Sequence, residues 1–305
     1  MSYPIIEIDS RDAIEPLGTK EKFWFYDKKE GFINLFKIGR IRTGENWAEK
    51  ISSELAKLLH LPCANYDFAI WKGKEGVVTR TFVPKNGRLV HGNEVLAKVV
   101  KGYPKQDSSY KLRDYKLSTV LAVMKLLKSE ALLPIGCEEC DHVKSIHGMF
   151  LGYLLFDCWI SNPDRHHENW GFVIDPYRSS VHLAPTYDHA SGLGCRLTDD
   201  ERNNRLITKD KGYSVRSFVK KTRTPFFDNE MKQMKTIEVF FAASRFDKPA
   251  TLFWLEKLES INDTEIGLIF KKTPETLISK SGIVFAVEML TENRNRLLDL
   301  RKEII

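Results

Sequence analysis

The stretch "ISNPDRHHENWGFVID", residues 160–175, decides the fold of this 305-residue chain. The chain leaves an apolar segment, "GMFLGYLLFDCWI" (148–160), passes through a run of charged and amide side chains, and returns to the apolar "GFVI" (171–174). This order predicts a buried helix, a polar loop and then the first strand of a short hairpin. Because the loop carries so many polar groups beside a core, we expect it to line a functional site.

The polar loop and the segment after the hairpin hold the residue types that phosphoryl transfer needs. Asp164 and Asn169 lie five residues apart, and Asp188 follows in "LAPTYDHASGLG" (183–194). In such a set one Asp accepts or orients the proton of the attacking hydroxyl, while the Asn and the second Asp bind Mg²⁺ on the phosphates. Mg²⁺ prefers oxygen ligands and keeps part of its water shell, so few protein groups are needed. The spacing Asp-x4-Asn is common by chance, and its weight comes from the order of helix, loop, hairpin and Asp.

The first part of the chain is predicted to form two hairpins with a helix between them. "KFWFY" (22–26) pairs with "GFINLFKI" (31–38), and "YDFAIW" (66–71) pairs with "VVTRTFV" (77–83). Between the hairpins Trp47, Ile51, Leu55 and Leu58 recur at helical spacing until Pro62.

From Gly92 onward the pattern is mostly helical, with candidate helices at 112–127, 142–160, 229–244, 250–261 and 281–302. A chain of 305 residues also exceeds the usual size of a single core, about 250 to 300 residues. The prediction is an α+β fold with a small β-rich lobe (1–85) and a larger, mainly helical lobe (86–305). A ligand site is expected in the cleft between the lobes, lined by the polar loop.

The small lobe supplies the other half of a nucleotide site. Gly18 precedes a strand in "PLGTKEKFWFY" (16–26), so a loop there can point backbone N–H groups at phosphates. Lys37 ends the second strand of the first hairpin, where a kinase places the lysine that contacts the α- and β-phosphates. Because side chains alternate along a strand, Lys37 lies on the same face as Ile33 and Leu35. A lysine that only faces solvent is not expected on such an apolar face.

With these motifs the chain resembles the HipA-like kinases, bacterial serine/threonine kinases that often act as toxins of toxin–antitoxin modules. The resemblance covers nearly the whole chain and rests on "GTKEKFW" (18–24), "LFKIGR" (35–40), "AEKISSELAKLLHLP" (48–62), "VVTRTFV" (77–83), "FDCWISNPDRHHENWGF" (156–172) and "LAPTYDHASGLG" (183–194). It implies a bilobal, protein-kinase-like fold with ATP and Mg²⁺ as cofactors. For partners it implies a protein substrate, such as an aminoacyl-tRNA synthetase or another translation component, and an antitoxin protein.

The resemblance also implies the role of each site residue. Asp164 corresponds to the catalytic Asp, Asn169 and Asp188 to the Mg²⁺ ligands, and Lys37 to the lysine that contacts the phosphates. The further nucleotide-binding residues that it implies are the phosphate loop Gly18, Thr19, Lys20, Glu21, Lys22, Phe23 and Trp24, the hinge Arg80, Thr81 and Phe82, and His166 and Tyr187.

Three departures from the family pattern affect what can be carried over. Gly18 lies too near the start for the N-terminal subdomain of larger members, so we expect a minimal form. Leu17 stands where the family has an autophosphorylated serine, so either Thr19 takes over this switch or a partner controls the protein. Glu49 aligns with the glutamate that pairs with Lys37, yet a helical wheel places Glu54 closer to the apolar stripe.

Other polar residues have structural interpretations. His166 either touches phosphate or braces the loop, whereas His167 and Glu168 are expected to face solvent. Asp157, inside the apolar helix, is interpreted as a buried carboxylate hydrogen-bonded to loop N–H groups, because an unpaired one would cost several kcal/mol. The group Cys137, Cys140, His142 and His147 could bind zinc, but the two pairs follow each other too closely for the usual site, which favours free thiols.

Composition limits the partners and the compartment. A net charge of +6 comes from cations scattered among acids, so neither a nucleic-acid nor a membrane partner is predicted. Five irregularly spaced cysteines favour a reducing cytoplasm, and the acids in "MSYPIIEIDSRD" (1–12) argue against a signal peptide. Delivery to another cell stays open.

Two other functions also stay open. "DRHHEN" (164–169) resembles the catalytic loop of phosphatidylinositol kinases, which suggests a lipid or small-molecule kinase, but no basic amphipathic helix for membrane binding is evident. The chain could instead be a pseudokinase that binds nucleotide as an interaction module. Against this, Lys37, Asp164, Asn169 and Asp188 are all present.

Overall fold

The structure is a computed structural model that describes residues 2–9, 11–14, 21–104, 112–137 and 143–304. The predicted phosphate-loop residues Gly18, Thr19 and Lys20 lie outside the described residues, and so do Cys140 and His142 of the candidate zinc group.

A six-stranded sheet with the order β1-β5-β6-β4-β3-β2 forms the small lobe. Its strands are β1 (Ile5–Ile8), β2 (Ala13–Ile14), β3 (Lys22–Asp27), β4 (Phe32–Lys37), β5 (Tyr66–Trp71) and β6 (Lys74–Arg80). Helix α1 (Glu45–Leu58) packs on one face of this sheet against β5 and β6. Both predicted hairpins and the helix between them are thus confirmed. The sequence did not reveal the edge strands β1 and β2, of which β1 pairs with β5 in parallel.

The second hairpin has a tighter turn than the five residues (72–76) between its two predicted strands suggested. Trp71 pairs with Lys74, which leaves a two-residue loop of Lys72 and Gly73 with φ values of 49° and 74°. Two positive φ values are typical of the type I′ turn, whose twist matches that of the flanking strands. Strand β6 therefore begins three residues before Val77, where the apolar pattern begins.

Alternation along the strands gives the sheet two different faces. Phe23, Phe25 and Phe36 lie on one face and pack with Trp71 and Val78 in a separate apolar cluster. The residues between them on β3 and β4 point to the opposite face, towards α1 and the second lobe. Only the strand residues on this opposite face can therefore reach a ligand between the lobes.

The larger lobe is built around the predicted helix and hairpin. A three-stranded antiparallel sheet joins β7 (Arg88–His91), β8 (Gly171–Asp175) and β9 (Ser180–Leu183). Between β7 and β8 the chain forms the helices α2 (Gly92–Val99), α3 (Leu117–Leu126) and α4 (Ile146–Trp159). After β9 come α5 (Asp199–Ile207), α6 (Val215–Lys221), β10 (Arg223–Phe227), β11 (Gln233–Lys235), α7 (Thr236–Ser244), α8 (Lys248–Ser260), α9 (Asp263–Lys272) and α10 (Lys280–Ile304).

Helix α4 forms the centre of this lobe and is buried along nearly its whole length. The side chain of Ser145 accepts a hydrogen bond from the Gly148 N–H at its first turn, which starts the helix four residues later than predicted. Gly152 lets α8 approach closely, because a Cβ at this position would lie 2.5 Å from the Trp254 ring. The loop that follows α4 is therefore attached to a rigid core element.

Several predicted helix boundaries were wrong. The segment 229–244 was predicted as one helix, but residues 233–235 form β11, which pairs with β10, and α7 begins only at Thr236. Helix α3 begins at Leu117 and not at residue 112. Helices α2, α5, α6 and α9 were not predicted individually. The fold class is nevertheless as predicted, α+β with a small β-rich lobe and a larger helical lobe, while the boundary between residues 85 and 86 stays a prediction.

Candidate active site

A cavity of about 350 Å³ lies between the two lobes and contains most of the predicted site residues. Those predicted from the sequence that line it are Lys22, Trp24, Lys37, Arg80, Thr81, Phe82, Asp164, His166, Asn169, Tyr187 and Asp188. Leu35, Arg40, Tyr66, Thr79, Val83, Leu89, His91 and Glu168 complete the lining.

Two members of the predicted phosphate loop are placed elsewhere. Phe23 is buried on the opposite face of the sheet, with its ring centroid 5.2 Å from that of Phe36 and 4.8 Å from that of Trp71. A side-chain role for Phe23 in nucleotide binding does not fit this position, because alternation along β3 brings Lys22 and Trp24 to the cavity instead. Glu21 forms an exposed ion pair with Lys74, at 2.9 Å.

Lys37 forms the charged centre of the cavity. Its Nζ lies 3.2 Å from Asp188 Oδ1, 3.5 Å from Glu49 Oε2 and 3.3 Å from the Tyr66 hydroxyl. Burial alone would lower the pKa of Lys37, but the charges of Asp188 and Glu49 and the hydrogen bond with Tyr66 outweigh burial, so the pKa lies well above its usual value. A permanent cation is thus held where the two lobes meet.

Glu49, not Glu54, is the partner of Lys37. Glu54 binds Lys50 at 2.8 Å and Lys57 at 2.7 Å. The helical wheel pointed to Glu54 because it assumed one apolar stripe, whereas α1 lies between the sheet and the larger lobe and is buried on most sides. The Glu49 carboxylate also accepts the His189 backbone N–H at 2.7 Å, so it joins the strand lysine to the segment after Asp188.

Asp164 is held by its own loop and by the segment after Asp188. Its Oδ2 accepts a hydrogen bond from the Ser191 hydroxyl at 3.1 Å, and its backbone carbonyl accepts one from Asn169 Nδ2 at 2.6 Å. The second bond turns Asn169 Oδ1 away from that carbonyl and makes the loop compact. Asp164 therefore presents a fixed carboxylate at the edge of the cavity.

Arg165 anchors the rest of the polar loop to helix α4, a role that the sequence did not reveal. Its buried guanidinium makes a bidentate pair with Asp157, at 2.6 and 2.8 Å, and donates to the carbonyl of Asn169 and to Thr186 Oγ1. Asp157 is buried, as predicted, but its partners are the side chains of Arg165 and Asn162, where loop N–H groups were expected. The polar loop and the segment before Asp188 are thus tied to one point on α4.

The three histidines near the loop differ in environment. His167 was predicted to face solvent, but it is buried and its Nδ1 lies 2.7 Å from the Tyr103 hydroxyl. Burial lowers the pKa of His166, which lines the cavity, and burial together with the charge of Arg165 lowers the pKa of His189 well below its usual value. His189 Nε2 accepts a hydrogen bond from Arg165 at 3.2 Å, which places the proton of the neutral ring on Nδ1.

The backbone at Asp188 has a positive φ of 60°, and Ser161 (50°) and Leu193 (58°) share this conformation nearby. Such conformations cost energy for residues with a side chain and cluster at functional sites. Leu193 N–H donates to the Ile160 carbonyl at 2.8 Å, so the segment after Asp188 is held against the start of the polar loop. The site therefore combines backbone strain with a rigid support.

The oxygen atoms of Asn169 and Asp188 suit Mg²⁺, because one amide and one partly exposed carboxylate open to the cavity leave room for water and phosphate oxygens as further ligands. Among the described residues no group of three or more His, Cys, Asp and Glu side chains could hold a metal by itself. A metal bound jointly with a nucleotide does not need such a group.

The far end of the cavity has aromatic and apolar walls. The ring centroids of Phe82 and Tyr187 lie 5.6 Å apart, and the Tyr187 hydroxyl donates to the Glu168 carbonyl at 2.8 Å. His91 Nδ1 contacts the same carbonyl at 2.8 Å. Thr81 N–H donates to the Ile33 carbonyl, which fixes the connection between the lobes. A flat apolar ligand part such as a nucleobase can pack against these walls.

Comparison with solved structures agrees with this architecture. A Helicobacter pylori proinflammatory kinase, CtkA, superposes with a TM-score of 0.74 at 18% identity, over 99% of this chain and 98% of that chain. HipA from Shewanella oneidensis, in a complex with HipB and operator DNA, gives 0.57 at 15% identity over 99% of this chain and 70% of that chain. The chain has the HipA-like kinase fold. No protein-family model and no curated protein matches the sequence.

Within this HipA-like fold, several residues that shape the site were not predicted from the sequence. Ser191, Thr186 and His189 flank Asp188 in "LAPTYDHASGLG", and His91 belongs to a strand that was not predicted. For the first three, proximity to Asp188 in the chain was the available signal. No helix among the described residues has the length and apolar character required to cross a membrane.

Proposed function

We propose that the chain is an ATP- and Mg²⁺-dependent serine/threonine protein kinase. The observation that carries the proposal is the convergence of Lys37, Asp164 and Asp188 on one cavity, with Glu49 held against Lys37. A phosphate-binding cation, a candidate catalytic carboxylate and a candidate metal ligand thus come from three separate parts of the chain. Positioning and charge stabilisation account for most of the catalysis in phosphoryl transfer, and these residues can supply both.

Each residue has a distinct role in the proposed reaction. Lys37 would bind the α- and β-phosphates, while Glu49 keeps its ammonium group in place. Asp164, fixed by Ser191, would orient the acceptor hydroxyl and take its proton. Asn169 and Asp188 would hold Mg²⁺, which when bound neutralises charge on the phosphates. Phe82 and Tyr187 would enclose the adenine.

Labelling with ATP tests the proposal. Purified protein would be incubated with γ-labelled ATP, Mg²⁺ and a cell lysate, with Asp164→Ala as the control. We expect label in protein, on Ser or Thr by phosphoamino acid analysis, and none above background with the variant. Label that appears in the lipid or small-molecule fraction instead would favour the small-molecule kinase. Nucleotide binding without any transfer would favour the pseudokinase.

The proposal extends to the partners and the regulation of the chain. The HipA structure contains HipB, which supports a search for an antitoxin protein bound to this chain. A translation component such as an aminoacyl-tRNA synthetase is the proposed substrate type, and the cytoplasm is the proposed compartment. For autophosphorylation, Thr19 is the proposed site, because a phosphate beside the bound triphosphate would repel it. Mass spectrometry after incubation with ATP, compared with Thr19→Val, tests this switch.

A further inference from the structure

A second cavity, of about 420 Å³, adjoins the nucleotide cavity at Asp164. Ser191 lines this second cavity, and its hydroxyl donates the 3.1 Å hydrogen bond to Asp164 Oδ2. Pro163, the neighbour of Asp164 in the chain, lines it as well. Ser191 thus connects the second cavity to the Asp164 carboxylate, which lines the first.

The lining of the second cavity combines apolar walls with positive charge. No carboxylate belongs to its lining in the described part of the chain. The apolar members are Pro163, Leu197, Tyr213 and Phe218, and the cations are Arg196, Arg205, Lys221 and Arg223. We call this site the basic cavity.

The charge of the basic cavity is not neutralised by the hydrogen bonds of its cations. Three of the cations donate to backbone carbonyls, namely Arg205 to Tyr213, Lys221 to Gly212 and Arg223 to Gln233. Carbonyl oxygens orient a cation but leave its full charge. Arg196 has a carboxylate partner in Glu45 Oε1, at 3.7 Å. Hydrogen bonds from Thr198 lower the pKa of Glu201, and Arg205 is close enough for its charge to contribute to this shift. Like charges in a concave site reinforce one another and attract anions.

Arg205 is held in a defined orientation. Its guanidinium lies over the rings of Tyr213 and Phe218, at 4.1 and 5.2 Å from their centroids. Its Nη1 donates to the Tyr213 carbonyl at 3.2 Å, which leaves the positive charge in place between the two rings.

We propose that the basic cavity binds the acceptor segment of a protein substrate and selects Ser or Thr residues flanked by Asp or Glu. This inference rests on the proposed kinase function and adds the substrate class. An acidic segment complements the four cations, one of its apolar side chains can occupy the space beside Leu197 and Phe218, and the hydroxyl then lies at Asp164. A basic segment would meet like charges.

Paired peptides test this selectivity. Each pair carries one Ser acceptor and differs only by Asp or Asn at a single flanking position, and kcat/KM is measured for both members with Mg²⁺ and ATP. We expect an advantage of about tenfold for Asp at one or more positions, decreasing as salt is added. The ratio within a pair should approach one in Arg223→Glu and in Lys221→Glu. Arg216→Glu on α6 is the matched control: it makes the same charge change outside the basic cavity, where Arg216 faces Glu292 at 3.8 Å, and it should keep the ratio.

Direct binding separates this inference from the proposed function. Fluorescence anisotropy of the labelled peptides, with a non-hydrolysable ATP analogue and Mg²⁺, reports recognition without any transfer. Tighter binding of the Asp peptide, lost in Arg223→Glu, supports the basic cavity even in a protein that transfers no phosphate. Equal binding of the Asp and Asn peptides, or a preference for Lys-flanked peptides, overturns it even where labelling with ATP succeeds. Thermal melts of the variants identify any loss that comes from unfolding.

Discussion

Lys37 and Asp188 lie 3.2 Å apart (Nζ to Oδ1), so an ion pair joins the last residue of a strand in the small lobe to a loop of the large lobe. Glu49 supplies a second carboxylate from α1, 3.5 Å from the same ammonium. The two carboxylates compensate the charge of Lys37, and Lys37 keeps them apart from one another. Lys37 therefore balances buried charge, in addition to its proposed role in binding phosphate.

Removal of Lys37 should destabilise the protein, and the size of this loss should depend on the charge of Glu49. Lys37→Met leaves the buried Glu49 carboxylate without its cation, so we expect a loss of about 3 kcal/mol in the free energy of unfolding. Glu49→Gln should recover part of this loss in the Lys37→Met background. Glu54→Gln, the same change on the same helix, should recover none, because Glu54 contacts Lys50 and Lys57. Chemical denaturation of the single and double variants measures the coupling. Equal recovery by both glutamine variants would contradict the pairing.

Asp188→Asn should weaken nucleotide binding only when Mg²⁺ is present. We expect the affinity for ATP with Mg²⁺ to fall, because an amide is a weaker ligand than a carboxylate. Without Mg²⁺ the variant should bind ATP at least as well as the wild type, since one negative charge near the phosphates is gone. Isothermal titration calorimetry with and without Mg²⁺ gives the four affinities. If Mg²⁺ does not change the affinity of the wild type, Asn169 and Asp188 are not the metal ligands.

Asp164→Ala should separate binding from transfer. The Asp164 carboxylate is held by Ser191, whereas the ammonium of Lys37 is held by Glu49 and Asp188. We therefore expect ATP affinity to stay nearly unchanged while phosphoryl transfer drops by a factor of about 10² or more. Ser191→Ala should cost less, since it loosens the carboxylate without removing it. Loss of both ATP binding and transfer in Asp164→Ala would indicate a structural role.

Sequence reasoning is most informative where local chemistry and chain order agree. The hairpins, α1, α4 and the polar loop follow from alternation, helical spacing and turn residues, and the same patterns place Lys37, Asp164, Asn169 and Asp188 on these elements. Contacts between residues distant in sequence are beyond this reasoning. A helical wheel disfavours Glu49 as the partner of Lys37, because it places Glu49 on the polar side of α1. That side is buried only through contact with the larger lobe, which the wheel does not include. Arg165 cannot be recognised as the support of the loop because its partners Asp157 and Thr186 come from α4 and from the segment before Asp188.

His189 should make stability dependent on pH in the mildly acidic range. Burial and the charge of Arg165 keep the folded-state pKa of His189 well below its usual value, and burial lowers that of His166. Both rings are neutral in the folded protein, whereas the unfolded chain takes up protons near the ordinary pKa of about 6.5. The stabilisation is thus complete above about pH 6.5 and is lost as pH falls below it towards the folded-state pKa values, by at most about 1.4 kcal/mol per pH unit for each ring.

His189→Gln, which keeps an acceptor for Arg165, should remove one of the two contributions and flatten the loss of stability between about pH 6.5 and 5. Urea unfolding at several pH values, with His60→Gln at an exposed position as the matched control, measures the slopes. A slope in His189→Gln equal to that of the wild type would mean that the ring is protonated in the folded protein, contrary to its position against Arg165.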